Sequence, residues 1–339
     1  MKKMDRRETL QILGWITATL AFRPASIAAA LSAMAGPPPG RGPSDDSENG
    51  DAIDHASNFR AIYQDAQLRA AFYLFLKNVY HLYPEDDFHQ LILTAVQSKA
   101  TDREIYNLAQ ARLPDVKPVL GDVRYSLPAL SHQKTEMTRQ TLALLGDRPA
   151  INGYMEIGTT GRYISRLKSS MTLTGDLVLL NLTAPTYSFV DIAERGQLSK
   201  LGRFVPLNNY LPLTANDVPD RSLDVVANFI GFHHSPPERR DAFVSSVVRT
   251  LRPGGRLILR DHNVDSTSMN HMVALAHDVF NMGLGVPWEA NQHEIRNFTS
   301  INEMQTYLER FGLKAVPGKQ ALLQDGDPTH NALMEFVKI

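Results

Sequence analysis

The sequence predicts an α/β fold: a doubly wound, mostly parallel sheet of about seven strands behind a helical N-terminal cap region. Three observations carry that expectation. From Asp51 to Leu145 the apolar residues recur at helical spacing, as in Phe72, Phe75, Leu76, Val79 and Tyr80. Beyond Gly146 the period changes to short apolar runs that alternate with amphipathic stretches, the pattern of parallel strands joined by helices. Glycines stand where two of these runs end or begin, in EIGTTGR (Glu156 to Arg162) and TLRPGGRLILRDHN (Thr250 to Asn263).

The first 35 residues read as an export signal. A basic start, the pair Arg6-Arg7, an apolar stretch from Leu10 to Phe22 and the small-residue triplet Ala33-Met34-Ala35 follow the order of such a leader. It resembles a twin-arginine signal, with Asp5 and Thr9 departing from that pattern. The implied partner is the twin-arginine export machinery and the implied location is periplasmic or exported. An amphipathic helix on a protein that stays in the cytoplasm is the alternative. Residues 36–50, GPPPGRGPSDDSENG, have almost nothing to bury and read as a flexible linker. No integral membrane span is expected, because no other segment approaches bilayer-spanning length.

Residues 51–148 form the expected helical region. Pro84 restarts a helix in YPEDDFHQLI, and Thr101 with Glu104 has the spacing of a capping box. The aromatic group Phe72, Tyr73, Phe75, Tyr80 and Tyr83 reads as helix packing. Residues 149–339 form the α/β domain. Its expected strands lie in NGYMEIG, DLVLLNLT, RFVPLN, LDVVANFIG, RLILRD and LMEFVKI. Its expected helices are Arg162 to Ser169, Val190 to Lys200, Pro237 to Leu251, Ser268 to Phe280 and Ile301 to Phe311.

Thirty-five basic residues against 36 acidic ones give a net charge of −1, so no global field recruits nucleic acid. The absence of cysteine excludes disulfides, thiolate nucleophiles and cysteine metal ligands. What remains is an ordinary globular chain, for which polyanion binding is a poor first guess and a ligand is sought at the sheet. In open α/β sheets such a ligand sits outside the carboxyl ends of the strands, where EIGTTGR and Arg260-Asp261-His262 fall.

EIGTTGR places Gly158 where the chain turns sharply off a strand and Gly161 where the next helix packs closely. Thr159 and Thr160 stand between them, and the missing third glycine disfavours a nicotinamide dinucleotide turn. YMEIGTTGRY, then LTANDVPDRSLDVVANFIGFHH, then RRDAFVSSVVRTLRPGGRLILRDH resembles the E-x-G-x-x-G, D-V-V and L-R-P-G-G succession of class I S-adenosylmethionine-dependent methyltransferases. The resemblance covers about residues 151–339. It implies a Rossmann-like sheet, S-adenosylmethionine as cofactor, and a Pro-Gly-Gly turn feeding a central strand beside the pocket.

Carried over residue by residue, the resemblance implies that Glu156, Gly158, Thr159 and Gly161 line the methionine moiety and that Asn228 flanks it. Where the family usually carries acids for the ribose and near the adenine amine, this chain has Asn181 and Asn208 or Asn209. An amide accepts a hydrogen bond without the charge that roughly doubles its strength. The departure keeps a second function open: a non-catalytic, methyltransferase-like binding protein of the cell envelope.

Methyl transfer from a sulfonium is mainly a matter of holding the nucleophile in line, with a base needed only when the acceptor has a proton to lose. His233 and His234 follow the fourth strand, and Asp261 and His262 end the fifth. His234, His262 and Asp261 are therefore the catalytic candidates, an imidazole titrating near neutrality, with packing and capping as the competing reading. Asp261, His262, Asn263, His277 and Asp278 include metal-ligand types, and some O-methyltransferases of this fold orient catechols on a divalent ion. No metal site is expected, because no one-helix pairing of the H-x-x-x-H kind occurs around them.

Overall fold

The computed structural model describes residues 57–117, 127–146, 148, 150–229, 231–316 and 322–339. The expected export signal and the linker at 36–50 lie outside them.

The N-terminal helices form where the sequence places caps. α1 (Asn58–Tyr63) is capped by Ser57, and α2 (Ala66–Phe75) by Asp65, which accepts from two backbone N–H groups. A π-helical turn, Leu76–Tyr80, continues α2 and ends at His81 in a left-handed conformation. α3 (Glu85–Ser98) starts behind Pro84, and α4 (Asp102–Val116) opens with the full Thr101/Glu104 capping box. α5 (Leu127–Leu145) precedes the sheet.

The sheet and its helices follow in alternation. They are β1 (Ala150–Ile157), α6 (Ile164–Ser170), β2 (Thr172–Asn181), α7 (Phe189–Arg195), β3 (Arg203–Pro206), β4 (Leu223–Asn228), α8 (Pro237–Thr250) and β5 (Leu251–His262). α9 (Thr267–Gly283), the short α10 (Trp288–Asn291), α11 (Ile301–Glu309), β6 (Leu313–Ala315), β7 (Leu322–Leu323) and β8 (Asn331–Lys338) complete the chain. The spatial order is β3-β2-β1-β4-β5-β8-β6, with β7 pairing β8 off this path. β1 to β5 are mutually parallel, as expected. β8 returns antiparallel to β5, β6 and β7, since the short link from β7 leaves no room for a crossover helix. The expected helix Val190 to Lys200 stops at Arg195, because Gly196, at φ 73°, turns its N–H back onto Ile192 O.

Alternation along the strands divides the core. Met155, Ile157, Val226, Leu257 and Leu259 face Phe243, Val244 and Val247 of α8 and Met304 and Leu308 of α11. Tyr154, Val225, Ala227 and Ile258 face Tyr163, Ile164 and Leu167, together with Met137, Leu144 and Leu145 of α5. α5 thus packs on the sheet, although its sequence period groups it with the helices before it. α1 to α4 instead share a core with Met272, Leu275, Val279 and Met282 of α9. Tyrosine hydroxyls staple that joint: Tyr80 donates to Val279 O at 3.0 Å and Tyr106 to Val286 O at 2.7 Å.

The strand order reverses between β1 and β4, which opens a crevice at their carboxyl ends. β5 runs on to His262, although β4 stops at Asn228 opposite Leu259. Its polar end therefore overhangs the chain leaving β4.

Candidate functional site

The turn after β1 takes its shape from Gly158 (φ 82°) and Gly161 (φ 95°), values that a side chain would strain. Gly158 N–H stays tied to Leu180 O at 2.8 Å, so the turn begins with β1 still anchored to β2. Glu156, expected to line the methionine moiety, braces the turn from inside. It is fully buried, accepting hydrogen bonds from the Thr159 hydroxyl, from Tyr154 Oη at 3.1 Å and from Tyr163 N–H at 3.3 Å. Burial pushes its pKa up, and those donors only partly oppose the shift.

Thr159 is likewise turned inward. While donating to Glu156 it also accepts from the N–H groups of Gly161 at 3.1 Å and Arg162 at 3.2 Å. Its hydroxyl holds the turn and has little left for a ligand. The neighbouring Thr160 hydroxyl is buried without a protein partner. A buried polar atom of that kind marks a place for a ligand group or water. Sequence reasoning passed over Thr160 because it occupies a position where a glycine was sought.

At the end of β2, half-buried Asn181 donates its amide to Thr183 O at 3.1 Å, which orients Oδ1 as an available acceptor. After β3, Asn208, Asn209 and Tyr210 have φ of 46°, 50° and 59° in succession. Left-handed backbone costs an L-residue about 1–2 kcal/mol, less for Asn, and such strain concentrates at binding sites. Asn209 Oδ1 is buried with no protein partner, whereas its backbone O accepts from Arg239 at 3.1 Å. Asn228 ends β4 beside Ile157, 2% exposed. Acceptors thus stand at the ends of β2 and β3, with a free hydroxyl after β1, and this set fits an adenosyl group carrying ribose hydroxyls and an exocyclic amine.

The second constellation lies past β4. Gly231 (φ 56°) launches a one-turn 3-10 helix, Phe232–His234. The His233 ring lies with Nδ1 2.6 Å from Asp261 Oδ1. His234 Nδ1 is 2.9 Å from Ile295 O, and His262 Nδ1 is 2.9 Å from Thr329 O. A carbonyl can only accept, so Nδ1 carries the proton in both His234 and His262, and Nε2 keeps the lone pair when each ring is neutral. Burial, reinforced by His233, lowers both pKa values to about 4. His277, from α9, is pushed down as well, chiefly by burial, with its Nδ1 3.6 Å from Glu294 Oε2.

Asp261 is 5% exposed and its pKa falls to about 2, because His233 and hydrogen bonds to the charged form outweigh burial. Its carboxylate is committed to positioning His233. Glu294 is held ionised by His277, His234 and Arg296, the last at 2.8 Å. Of the three catalytic candidates, Asp261 thus has both carboxylate oxygens engaged, by the His233 ring and by the N–H groups of His233 and His262. His234 is turned toward its neighbour, since a Cβ added at Gly231 would meet both His234 Nε2 and His233 Nε2, at 2.9 and 3.3 Å. His262 is left with an uncommitted Nε2.

The expectation of no metal site rested on spacing within single helices. The fold instead brings the turn after β4 and α9 together, so that one ring nitrogen each of His233, His234 and His277 lies within 4.8 Å of the others. His262, Asn263 and Asp278, also considered as ligands, fall outside this trio: Asn263 accepts from Ile301 N–H and Asp278 pairs with Arg296. Among the described residues, no helix is long and apolar enough to cross a membrane.

A family model described as a methyltransferase domain matches residues 156–259, from the base of the glycine turn through most of β5. No curated protein sequence matches the chain. Among solved structures, it is similar to a 1,6-didemethyltoxoflavin-N1-methyltransferase from Burkholderia thailandensis at 14% identity, covering 60% of this chain and 77% of that one, with a TM-score of 0.41. A SAM-dependent methyltransferase from Aquifex aeolicus shows 14% identity over 60% and 89% of the two chains, TM-score 0.38. The N-methyltransferase NodS from Bradyrhizobium japonicum shows 15% identity over 61% and 95%, TM-score 0.38. The sheet order defines an α/β protein with a Rossmann-like sheet, within which residues 156–259 match the methyltransferase-domain model.

Proposed function

We propose that the protein is an S-adenosylmethionine-dependent methyltransferase acting on a small molecule. The observation that carries this reading is the glycine turn at the β1/β4 switch point, with Glu156 buried beneath it, at the start of the segment that matches a methyltransferase domain. The bound cofactor supplies an electrophilic methyl group on a sulfonium. Thr160 and the turn's backbone hold the amino-acid end, Asn181 Oδ1 accepts from the ribose, and Asn209 Oδ1 accepts from the adenine amine. Glu156 and Thr159 keep the turn in shape.

His262 is the residue that meets the acceptor. With a pKa near 4 it is uncharged at neutral pH, and its Nε2 orients an acceptor N–H or O–H by accepting its hydrogen bond. It is a weak proton store, so the reading favours acceptors that lose their proton late or have none to lose.

Calorimetric titration of the purified chain with S-adenosylmethionine tests the proposal. One-to-one binding, followed by S-adenosylhomocysteine formation with a panel of small amines, phenols and carboxylates, supports it; absence of binding at millimolar cofactor overturns it. The twin-arginine-like leader makes export of a folded, cofactor-loaded chain part of the same reading. Cell fractionation with N-terminal sequencing of the mature protein tests that part separately.

A further inference from the structure

We infer that His233, His234 and His277 form a three-imidazole site for a divalent first-row transition ion, with zinc as its reference occupant. Three atoms within 4.8 Å of one another have a common point no farther than about 2.8 Å from each, while a zinc–nitrogen bond is about 2.0–2.1 Å. Each ring then advances by roughly 0.7 Å at most to bind, a shift that side-chain rotation supplies.

Hydrogen bonding prepares the rings for that role. A metal-binding histidine generally gives its other ring N–H to a carboxylate or carbonyl, which fixes the tautomer and the ring orientation. His233 has Asp261 at 2.6 Å and His234 has Ile295 O at 2.9 Å, each hydrogen-bonded at Nδ1, while His277 turns its Nδ1 toward the Glu294 carboxylate, 3.6 Å away. The Nε2 atoms of His233 and His234 converge beside Gly231, where the missing side chain leaves the space. His233 Nε2 is buried without a hydrogen-bond partner, the orphaned atom that a metal ion would satisfy.

The outer shell is equally organised. Arg296 binds both Glu294 and Asp278 at 2.8 Å, and Asn281 donates to Glu294 at 3.1 Å, so the acid facing His277 is fixed from behind. Asn297 N–H donates to His233 O at 2.9 Å, closing the loop over the cluster. Imidazole donors without thiolates suit zinc, copper, nickel and iron, and exclude magnesium and calcium, which prefer oxygen.

The test reads metal occupancy and is independent of cofactor binding. The full chain is stripped with a chelator, then titrated calorimetrically with zinc chloride and spectroscopically with cobalt chloride. Expected are one zinc per chain, visible cobalt bands of a low-coordinate site that zinc abolishes, and an X-ray absorption spectrum of the zinc form showing three imidazole nitrogens. His277→Ala and His233→Ala each weaken zinc binding by at least about 100-fold, and Asp261→Asn weakens it by about 10- to 100-fold. Exposed His293→Ala leaves it unchanged. Absence of stoichiometric zinc in the wild type, fewer than three imidazoles in its spectrum, or equal affinity in folded His277→Ala and His293→Ala overturns the inference. The wild-type spectrum decides the matter if the alanine variants do not fold.

Discussion

Asp261 grips His233 twice: Oδ1 lies 2.6 Å from the ring Nδ1, and Oδ2 accepts the backbone N–H at 3.1 Å. The same carboxylate accepts His262 N–H at 2.8 Å. One side chain at the overhanging end of β5 therefore fixes the turn after β4, the tautomer of its first histidine and the direction in which the strand leaves the sheet. Hydrogen bonds to an ionised, buried acceptor are among the stronger ones, worth about 1.5–3 kcal/mol each.

Asp261→Asn should test that grip. Asparagine has one acceptor oxygen for three donors and brings an NH2 toward either the ring or a backbone N–H. Urea unfolding should show a loss of about 1.5–3 kcal/mol. Nitrogen NMR of His233 should show a changed tautomer whenever the amide NH2 faces Nδ1; an unchanged midpoint together with an unchanged tautomer would contradict the assigned role.

Glu156→Gln should separate bracing from direct cofactor contact. Glutamine keeps an oxygen for Thr159 and Tyr163, and its NH2 can donate to Tyr154 Oη, so the turn survives and cofactor affinity changes less than about fivefold, below 1 kcal/mol. The stability signature is separate and has a definite sign. Burial raises the folded-state pKa of Glu156, so the folded protein holds that proton more tightly than the unfolded chain. Its contribution is fully present below the unfolded value and is lost as pH rises through the folded one. Unfolding measured at pH 4 and pH 7 should show the variant gaining on the wild type toward pH 7.

The contrast between these two acids shows what could be read before folding. The parallel strands were legible because LDVVANFIG and RLILRD are apolar runs bounded by turn residues, and the α4 start because Thr101 and Glu104 form a capping box. Glu156 was legible as a member of the turn motif but not as its brace. Its burial depends on donors from Tyr154, Thr159 and Tyr163, which a motif does not record. The imidazole cluster was less legible still. His277 comes from α9, which packs against α1 to α4, whereas His233 and His234 come from the turn after β4, a tertiary relationship with no local spacing. The shortened α7 had a visible signal in Gly196, which the expected helix ran through.

Gly283→Ala should probe the packing that sets α9. A Cβ there would lie 2.1 Å from Tyr80 Oη, and Tyr80 is buried with its hydroxyl on Val279 O. Overpacking of this kind costs about 1–3 kcal/mol, more than alanine recovers at a helix end. Tyr80→Phe removes the clashing oxygen, so Gly283→Ala should cost less in that background, with a coupling energy of at least about 0.5 kcal/mol in the double-mutant cycle. Equal costs in the two backgrounds would mean that α9 shifts freely against the N-terminal helices.

Asn181→Asp should strengthen cofactor binding. Asn181 ends β2, where the ribose is expected, and spends its amide N–H on Thr183 O at 3.1 Å, an exposed bond worth at most about 0.5–1 kcal/mol in stability. The aspartate gives up that donor, so the variant should unfold slightly more easily. In return it offers a charged acceptor to the ribose hydroxyls, and a charged bond exceeds a neutral one by about 1 kcal/mol, or roughly fivefold in affinity. Calorimetric titration of S-adenosylmethionine into both proteins should therefore show tighter binding in the less stable variant. Unchanged or weaker binding would mean that Asn181 does not face the ribose, because a carboxylate aimed at solvent has no ribose hydroxyl to accept from.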